Sequence, residues 1–235
     1  MAKHWFYAAA APQAGLVELD PENAKHAVQV LRLKAGDGIT LTDGKGNAFE
    51  GIIREASKKH CAVEIIETHF FEFAGNHLAM AVSPLKNTAR FEWFLEKASE
   101  LGIAEIFPVQ CEHAVRGNLR IDRCRAICVS AMLQSQQTWL TKVHELQPLE
   151  NLLSKQFDQK WIAHCADAPK INLSTIKFQN NGNGLLMIGP EGDFSPREID
   201  LFTNAGYEPV SLGENRLRTE TAAVVGAVLL RLGGG

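Results

Sequence analysis

No run in this chain reaches the roughly 18 apolar residues that a membrane-crossing helix needs. At the N-terminus a lone Lys3 precedes the short apolar stretch Trp5 to Ala11, which stops at Pro12 and lacks the charged flank of a secretory signal. The expectation is a cytoplasmic protein. Cysteine is sparse: Cys61, Cys111, Cys124, Cys128 and Cys165 form no CxxC pair. Cys124 and Cys128 share a helix face, but no neighbouring histidine completes a zinc pattern, so they read as reduced structural thiols and no metal is expected. The 8 histidines make no HExxH or HxH arrangement, and His26 and His113 read as packing or surface residues. No Gly-x-Ser-x-Gly elbow is present, which excludes a hydrolase of that kind. Neither GxGxxG nor a Walker lysine follows any glycine loop. Charge of one sign is also lacking, since 24 basic against 27 acidic residues leave a net charge of −3. That balance excludes a uniformly basic nucleic-acid coat and leaves room for a local basic groove.

What is there changes character part-way along the chain. Residues 1–72 read as a small β-barrel. Ile39 to Thr42 alternates into the turn signal Asp43-Gly44-Lys45-Gly46-Asn47, Ala48 to Ile53 alternates again, and Cys61 to Ile66 follows. The only helix expected here covers Pro21 to Leu33, with Asp20 as its cap and Pro21 at its first position. Phe70 to Asn76 reads as a linker. Residues 73–235 then alternate strands with helices: strands over Leu78 to Ser83, Ile103 to Val109, Trp161 to Cys165, Leu185 to Ile188 and Val210 to Leu212. Helices are expected over Thr88 to Leu101 and Ile121 to Gln137, at the capping box Ser195-Pro196-Arg197-Glu198, and from a Thr219 cap to about Leu232. Such alternation implies a mostly parallel sheet covered by helices.

Two glycine loops lie between a strand and a helix start: Ile188-Gly189-Pro190-Glu191-Gly192-Asp193, and Leu212-Gly213-Glu214-Asn215-Arg216-Leu217-Arg218-Thr219-Glu220. Each alone reads equally as a tight turn or a helix cap. Together they could wall one pocket at the carboxyl ends of neighbouring strands, and exposed main-chain groups there suit an adenosine-bearing cofactor. Arg216 and Arg218 sit at a helix start, where the dipole disfavours cations, so a phosphate backbone or a partner subunit would explain them. Further basic residues are scattered: Lys25, Arg32, Lys34, Lys45, Lys58 and Lys59, then Arg116, Arg120, Arg123 and Arg125. Any one of them is ordinary solvated surface. A small barrel with basic loops beside a catalytic-looking domain strengthens an RNA reading.

Read together, His26 with Val30-Leu31-Arg32-Leu33-Lys34 and Gly36-Asp37, Asp43-Gly44, Glu96 to Gly102 with Ile106 and Pro108, Ile188 to Gly192, Leu212-Gly213 and Leu217 to Ala222 resemble the RsmE family of bacterial 16S ribosomal RNA uridine N3-methyltransferases. The resemblance covers nearly the whole chain. It implies a PUA-like β-barrel over 1–72 that binds RNA. It further implies an α/β SPOUT-type methyltransferase domain over 73–235, a parallel sheet whose C-terminal chain threads a trefoil knot. The implied activity is methylation of N3 of a uridine near the decoding site of 16S rRNA in the small ribosomal subunit, by a homodimer using S-adenosyl-L-methionine. By position, the cofactor residues would be His164, Ile188, Gly189, Pro190, Glu191, Gly192, Leu212, Gly213, Asn215, Leu217, Arg218, Thr219 and Ala222. Arg218 would stabilise the uridine anion, and Glu220 would take the proton or orient the base. Arg32, Lys58, Lys59 and Arg116 are the residues expected on RNA. A related enzyme acting on another RNA such as transfer RNA, or a non-catalytic ribosome-assembly factor, stays open beside it. The chain departs from the family pattern in three places. Asp193 stands where a second glycine is common, His113 where an arginine is frequent, and Leu133-Gln134-Ser135-Gln136-Gln137 lacks the usual arginine.

Overall fold

The computed structural model describes residues 4–10, 12, 15–57, 60–114, 119–178 and 182–233. They fall into two compact units. The first takes the chain up to Phe73 together with Met132–Leu140, and the second takes Ala74–Ala131 and everything from Thr141.

The first unit is built on β1 (His4–Tyr7), β2 (Leu16–Glu18), β3 (Gly38–Thr42), β4 (Asn47–Ala56) and β5 (Cys61–Phe70). They form one five-stranded sheet in the order β1-β3-β4-β5-β2, with β1 parallel to β3 and the other ladders antiparallel. Helix α1 (Pro21–Lys25) opens as the sequence predicts: the Asp20 carboxylate accepts from the amides of Glu22 and Asn23 at 3.0 Å each. The α-helix does not run to Leu33. It widens into a π-helical turn over His26–Val30, and Arg32 ends it in the left-handed region at φ 59°. The Leu33 amide then reaches back to the Ala27 carbonyl at 2.9 Å. Ala24 of α1 and Ala27 of this turn pack with Phe6, Ile39, Leu41, Phe49, Ile53 and Val63 in the unit's core.

The Asp43–Asn47 turn is closed by Asp43, whose Oδ1 accepts from the amides of Lys45 and Asn47. Gly44 and Gly46 are needed there, because both take positive φ and a Cβ on Gly46 would lie 2.7 Å from the Trp139 ring. Trp139 comes from the returning segment. Its Nε1 donates to the Phe71 carbonyl at 2.9 Å, and the Leu140 amide donates to the Gly44 carbonyl at 2.9 Å.

The second unit contains β6 (His77–Val82), α2 (Thr88–Glu100), β7 (Glu105–Gln110), α3 (Ile121–Gln134), β8 (Lys142–Val143), β9 (Gln147–Pro148), β10 (Gln159–Ala163), β11 (Ile171–Asn172), β12 (Asn183–Ile188), α4 (Pro196–Asn204), β13 (Glu208–Ser211) and α5 (Thr219–Gly233). Its strands form an eight-stranded sheet in the order β11-β13-β10-β12-β6-β7-β8, with β9 pairing β7. Every ladder in it is parallel. The central strands read as near-continuous apolar runs because both faces are covered.

Helix α3 stops at Gln134, short of the expected Gln137. Gln136 turns left-handed at φ 54°, and the Gln137 amide bonds back to the Met132 carbonyl at 3.0 Å, which closes the helix. At α5 the expected cap also moves. The Arg218 carbonyl accepts the first helical bond from Ala222 at 2.7 Å, so Arg218 is the cap and Thr219 the first helical residue. Gly226 on α5 lets the helix approach the sheet, since a Cβ there would lie 2.5 Å from Leu186 Cδ2.

Candidate active site

Because β10, β12 and β13 are adjacent and parallel, the turns that leave their carboxyl ends share one edge of the sheet. After β12, Gly189 lies against Phe194: a Cβ would come 3.1 Å from that ring and 3.2 Å from its amide, so the turn is as tight as a glycine allows. The turn ends in the predicted capping box, with Ser195 Oγ accepting from Glu198 N at 3.2 Å and Glu198 Oε2 accepting from Ser195 N at 2.8 Å. The other oxygen of Glu198 accepts the Glu112 amide at 2.8 Å, so one buried carboxylate also supports the turn after β7. After β13, Gly213 takes φ 131° with no atom within 4 Å of a built Cβ, and Glu214, Asn215 and Arg216 are exposed. After β10, Lys170 Nζ donates to the carbonyls of His164 at 2.9 Å and Ala166 at 2.8 Å, which curls the turn back on itself.

These turns enclose two adjoining cavities of about 320 and 490 Å³. His164, Leu212, Gly213 and Asn215 line the first, and Gly189, Pro190, Glu191, Arg218 and Thr219 line the second. Ile188, Leu217 and Ala222 face both. Among the thirteen positions expected to hold the cofactor, Gly192 alone is missing from these walls; a Cβ there would meet His113 Cβ at 3.0 Å.

The walls carry uncommitted polar atoms. His164 is 7 % exposed, and neither ring nitrogen has a hydrogen-bond partner among the described residues. Burial pushes its imidazole below the usual histidine range, the Lys170 charge pushes the same way, and Asp193 partly opposes them. Glu220 is 8 % exposed, with Oε1 3.5 Å from Arg90 Nη1 and Oε2 unpartnered among the described residues. Buried polar atoms left open at a cavity wall are suited to a polar ligand.

Residues 74–231 match the family model of the RNA methyltransferase domain, and residues 19–66 match that of the RNA methyltransferase PUA domain. The chain belongs to the RNA methyltransferase family. The methyltransferase is 33% identical to a probable rRNA-methyltransferase from Porphyromonas gingivalis, whose crystal structure superposes with a TM-score of 0.91 over 98% of both chains. It is 28% identical to the ribosomal RNA small subunit methyltransferase E of Neisseria gonorrhoeae, solved bound to S-adenosyl methionine, with a TM-score of 0.87 and 98% of each chain covered. The enzyme of the same name from Rickettsia conorii is 26% identical over 219 residues, 92% of this chain and 89% of that one. The fold expected from the resemblance, a parallel α/β sheet preceded by a PUA-like unit, is the one observed.

In this methyltransferase Arg218 and Glu220 line one cavity together. Arg32 lies in the first unit, exposed at the end of its π-helical turn. Lys58, Lys59 and Arg116 lie outside the described residues. Sequence reasoning passed over Arg90, which reaches the cavity from the first turn of α2, and Lys170, whose work is done through main-chain carbonyls. Neither carries a local motif. Asp193 was visible as an oddity in a glycine loop, but not as a wall residue.

Proposed function

We propose that this RNA methyltransferase transfers a methyl group from S-adenosyl-L-methionine to N3 of a uridine near the decoding site of 16S rRNA in the small ribosomal subunit. The observation that carries the reading is the convergence of the turns after β10, β12 and β13 on adjoining cavities whose walls hold open polar atoms on His164 and Glu220. Those residues fit the donor. The near-neutral imidazole of His164 and the main chain around Gly213 offer hydrogen-bonding partners without adding positive charge next to a cationic sulfonium. The donor, when bound, supplies an activated methyl, and the chain supplies alignment and electrostatics.

Uracil N3 carries a proton that must leave as the nitrogen attacks. Arg218, exposed at the cavity mouth and capping α5, is placed to stabilise charge developing on O2 or O4. Glu220, with one oxygen near Arg90 and the other without a partner among the described residues, can receive the proton or orient the base. Arg32, Lys58, Lys59 and Arg116 hold flanking RNA in this reading, and the target base leaves its stack to expose N3.

The same reading includes a homodimer and a threaded C-terminal chain. Trp93 on α2 and Leu232 on α5 are 45% and 74% exposed, apolar surface suited to a second copy. After β12 the chain goes to β13 on the far side of β10, then returns as α5 against β6 and β12, a path consistent with a knot.

The test is incubation with S-adenosyl-L-methionine and small subunits from a strain lacking the modification, read by primer extension. N3 methylation blocks Watson–Crick pairing, so a donor-dependent stop at the decoding-region uridine is expected. Donor binding with no stop would point to another RNA, such as transfer RNA, or to an assembly factor.

A further inference from the structure

Asp193 is one of three non-glycine residues with positive φ among those described, at 66°. L-residues pay for that conformation, and glycine would adopt it freely. The side chain supplies the compensation. Asp193 Oδ2 accepts the Cys165 amide at 2.7 Å, and Oδ1 accepts the Phe194 amide at 2.9 Å. Its own amide donates to the Pro190 carbonyl at 3.0 Å, and its carbonyl lies 3.2 Å from His113 Nδ1. One residue therefore ties together the turns that follow β7, β10 and β12.

The bond to Cys165 matters most for the pocket. At the end of β10, Lys170 holds the carbonyls of His164 and Ala166 on either side of Cys165, and Asp193 holds the Cys165 amide. Cys165 is exposed, so without the carboxylate its amide would turn to water, leaving Lys170 alone to hold the turn through the carbonyls on either side. A hydrogen bond from a backbone amide to an ionised carboxylate is about twice as strong as a neutral one.

We propose that Asp193 is a positioning residue that locks the His164–Cys165 turn against the Gly189–Gly192 loop, so that the donor pocket is assembled before the donor arrives. The part concerning the donor rests on the S-adenosyl-L-methionine reading of this pocket. Asp193 acts through main-chain groups of its neighbours, and a glycine in its place would keep the backbone shape while losing the lock.

Two variants separate shape from lock. Asp193→Gly relieves the left-handed backbone but loses both side-chain hydrogen bonds and frees the unfolded chain, so its urea midpoint should fall modestly while the chain still folds. Its Cys165 and Phe194 amides should exchange with solvent at least about tenfold faster, and its Kd for S-adenosylhomocysteine should rise roughly tenfold, the scale of one charge-assisted hydrogen bond. Asp193→Asn keeps the backbone preference and one acceptor oxygen, so one of the two amides should lose protection and the Kd should fall between. If the glycine variant does not fold, the asparagine variant carries the same reading. Unchanged amide exchange overturns the proposal, and so does lost protection with unchanged affinity. If the unaltered chain does not bind S-adenosylhomocysteine, the donor assignment fails, while exchange at Cys165 still decides whether Asp193 positions the turn.

Discussion

At the cavity mouth, Arg218 combines two roles that work against each other. Its carbonyl starts α5, and its side chain leaves the backbone at the positive end of that helix, where the dipole disfavours a cation. A cation held at such a place is well suited to meet negative charge from outside. Arg218→Ala is expected to lower methyl transfer at saturating donor by about 10²–10³, the usual effect of losing one group that stabilises developing charge. Single-turnover transfer to small subunits alongside calorimetric binding checks it. Near-normal transfer would remove Arg218 from the chemistry. The same scale shows what one sequence could and could not convey. The glycine loops announced themselves because tight strand-to-helix turns demand glycine. Asp193 and His113 stood out as departures from a family pattern, but only the structure shows that they touch. Arg90 was silent, because its meeting with Glu220 joins residues 130 positions apart and leaves no periodic trace.

Among elements, the edge of the sheet is clasped by side chains from consecutive strands. Glu105 on β7 holds His77 of β6 at 2.9 Å through one oxygen and His144, just after β8, at 2.5 Å through the other. The His144 hydrogen bond, then that of His77, holds the Glu105 carboxyl well below the usual carboxylate range, against the opposing effect of burial. A carboxyl lowered on folding stabilises the fold above its unfolded pKa of about 4.3, and that contribution is lost as pH falls towards the folded value. Glu105→Gln should therefore cost about 1–2 kcal/mol in urea denaturation at pH 7, with the difference shrinking below about pH 4. A difference that stayed constant with pH would mean the loss is one of packing. At the α5–β12 contact, Gly226→Ala should destabilise by about 1–3 kcal/mol despite the better helix propensity of alanine, because Leu186 already fills the space a Cβ needs. A stabilised variant would show that the helix can shift.

Element type and order were largely legible, since β6, β10 and β12 read as buried runs and α4 carried a complete capping box. Helix ends were less so. The π-helical turn after α1 and helix α3 are ended by left-handed Arg32 and Gln136, which no propensity marks. The short pairings of β8, β9 and β11, of two residues each, depend on neighbours that the local sequence does not name.

For the whole molecule, composition excluded more than it specified. A net charge of −3 leaves no general attraction for RNA, so binding must rest on a few placed cations. If Arg32 contacts a phosphate, Arg32→Ala should weaken RNA binding and reduce the slope of log affinity against log salt by about one. Filter binding across a salt series measures it, and an unchanged slope would remove Arg32 from the RNA contacts. The return of Met132–Leu140 to the first unit was unreadable from sequence, because the segment interrupts one unit to serve another and has the composition of an ordinary loop. Its anchor is Trp139 over Gly46, a contact between residues 93 positions apart.

Apart from Arg90, the pocket walls run from Ala163 to Ala222 on strands that interleave, with β10 lying between two strands made after it. During synthesis, then, a nascent chain holding β10 has neither flanking wall, and one holding β12 still lacks the turn after β13. At about 5–20 residues per second, some seconds separate the first wall from the last. A chain released early from the ribosome would carry the strands of the first unit but not the full set of walls around these cavities, so the cavities exist only in completed copies.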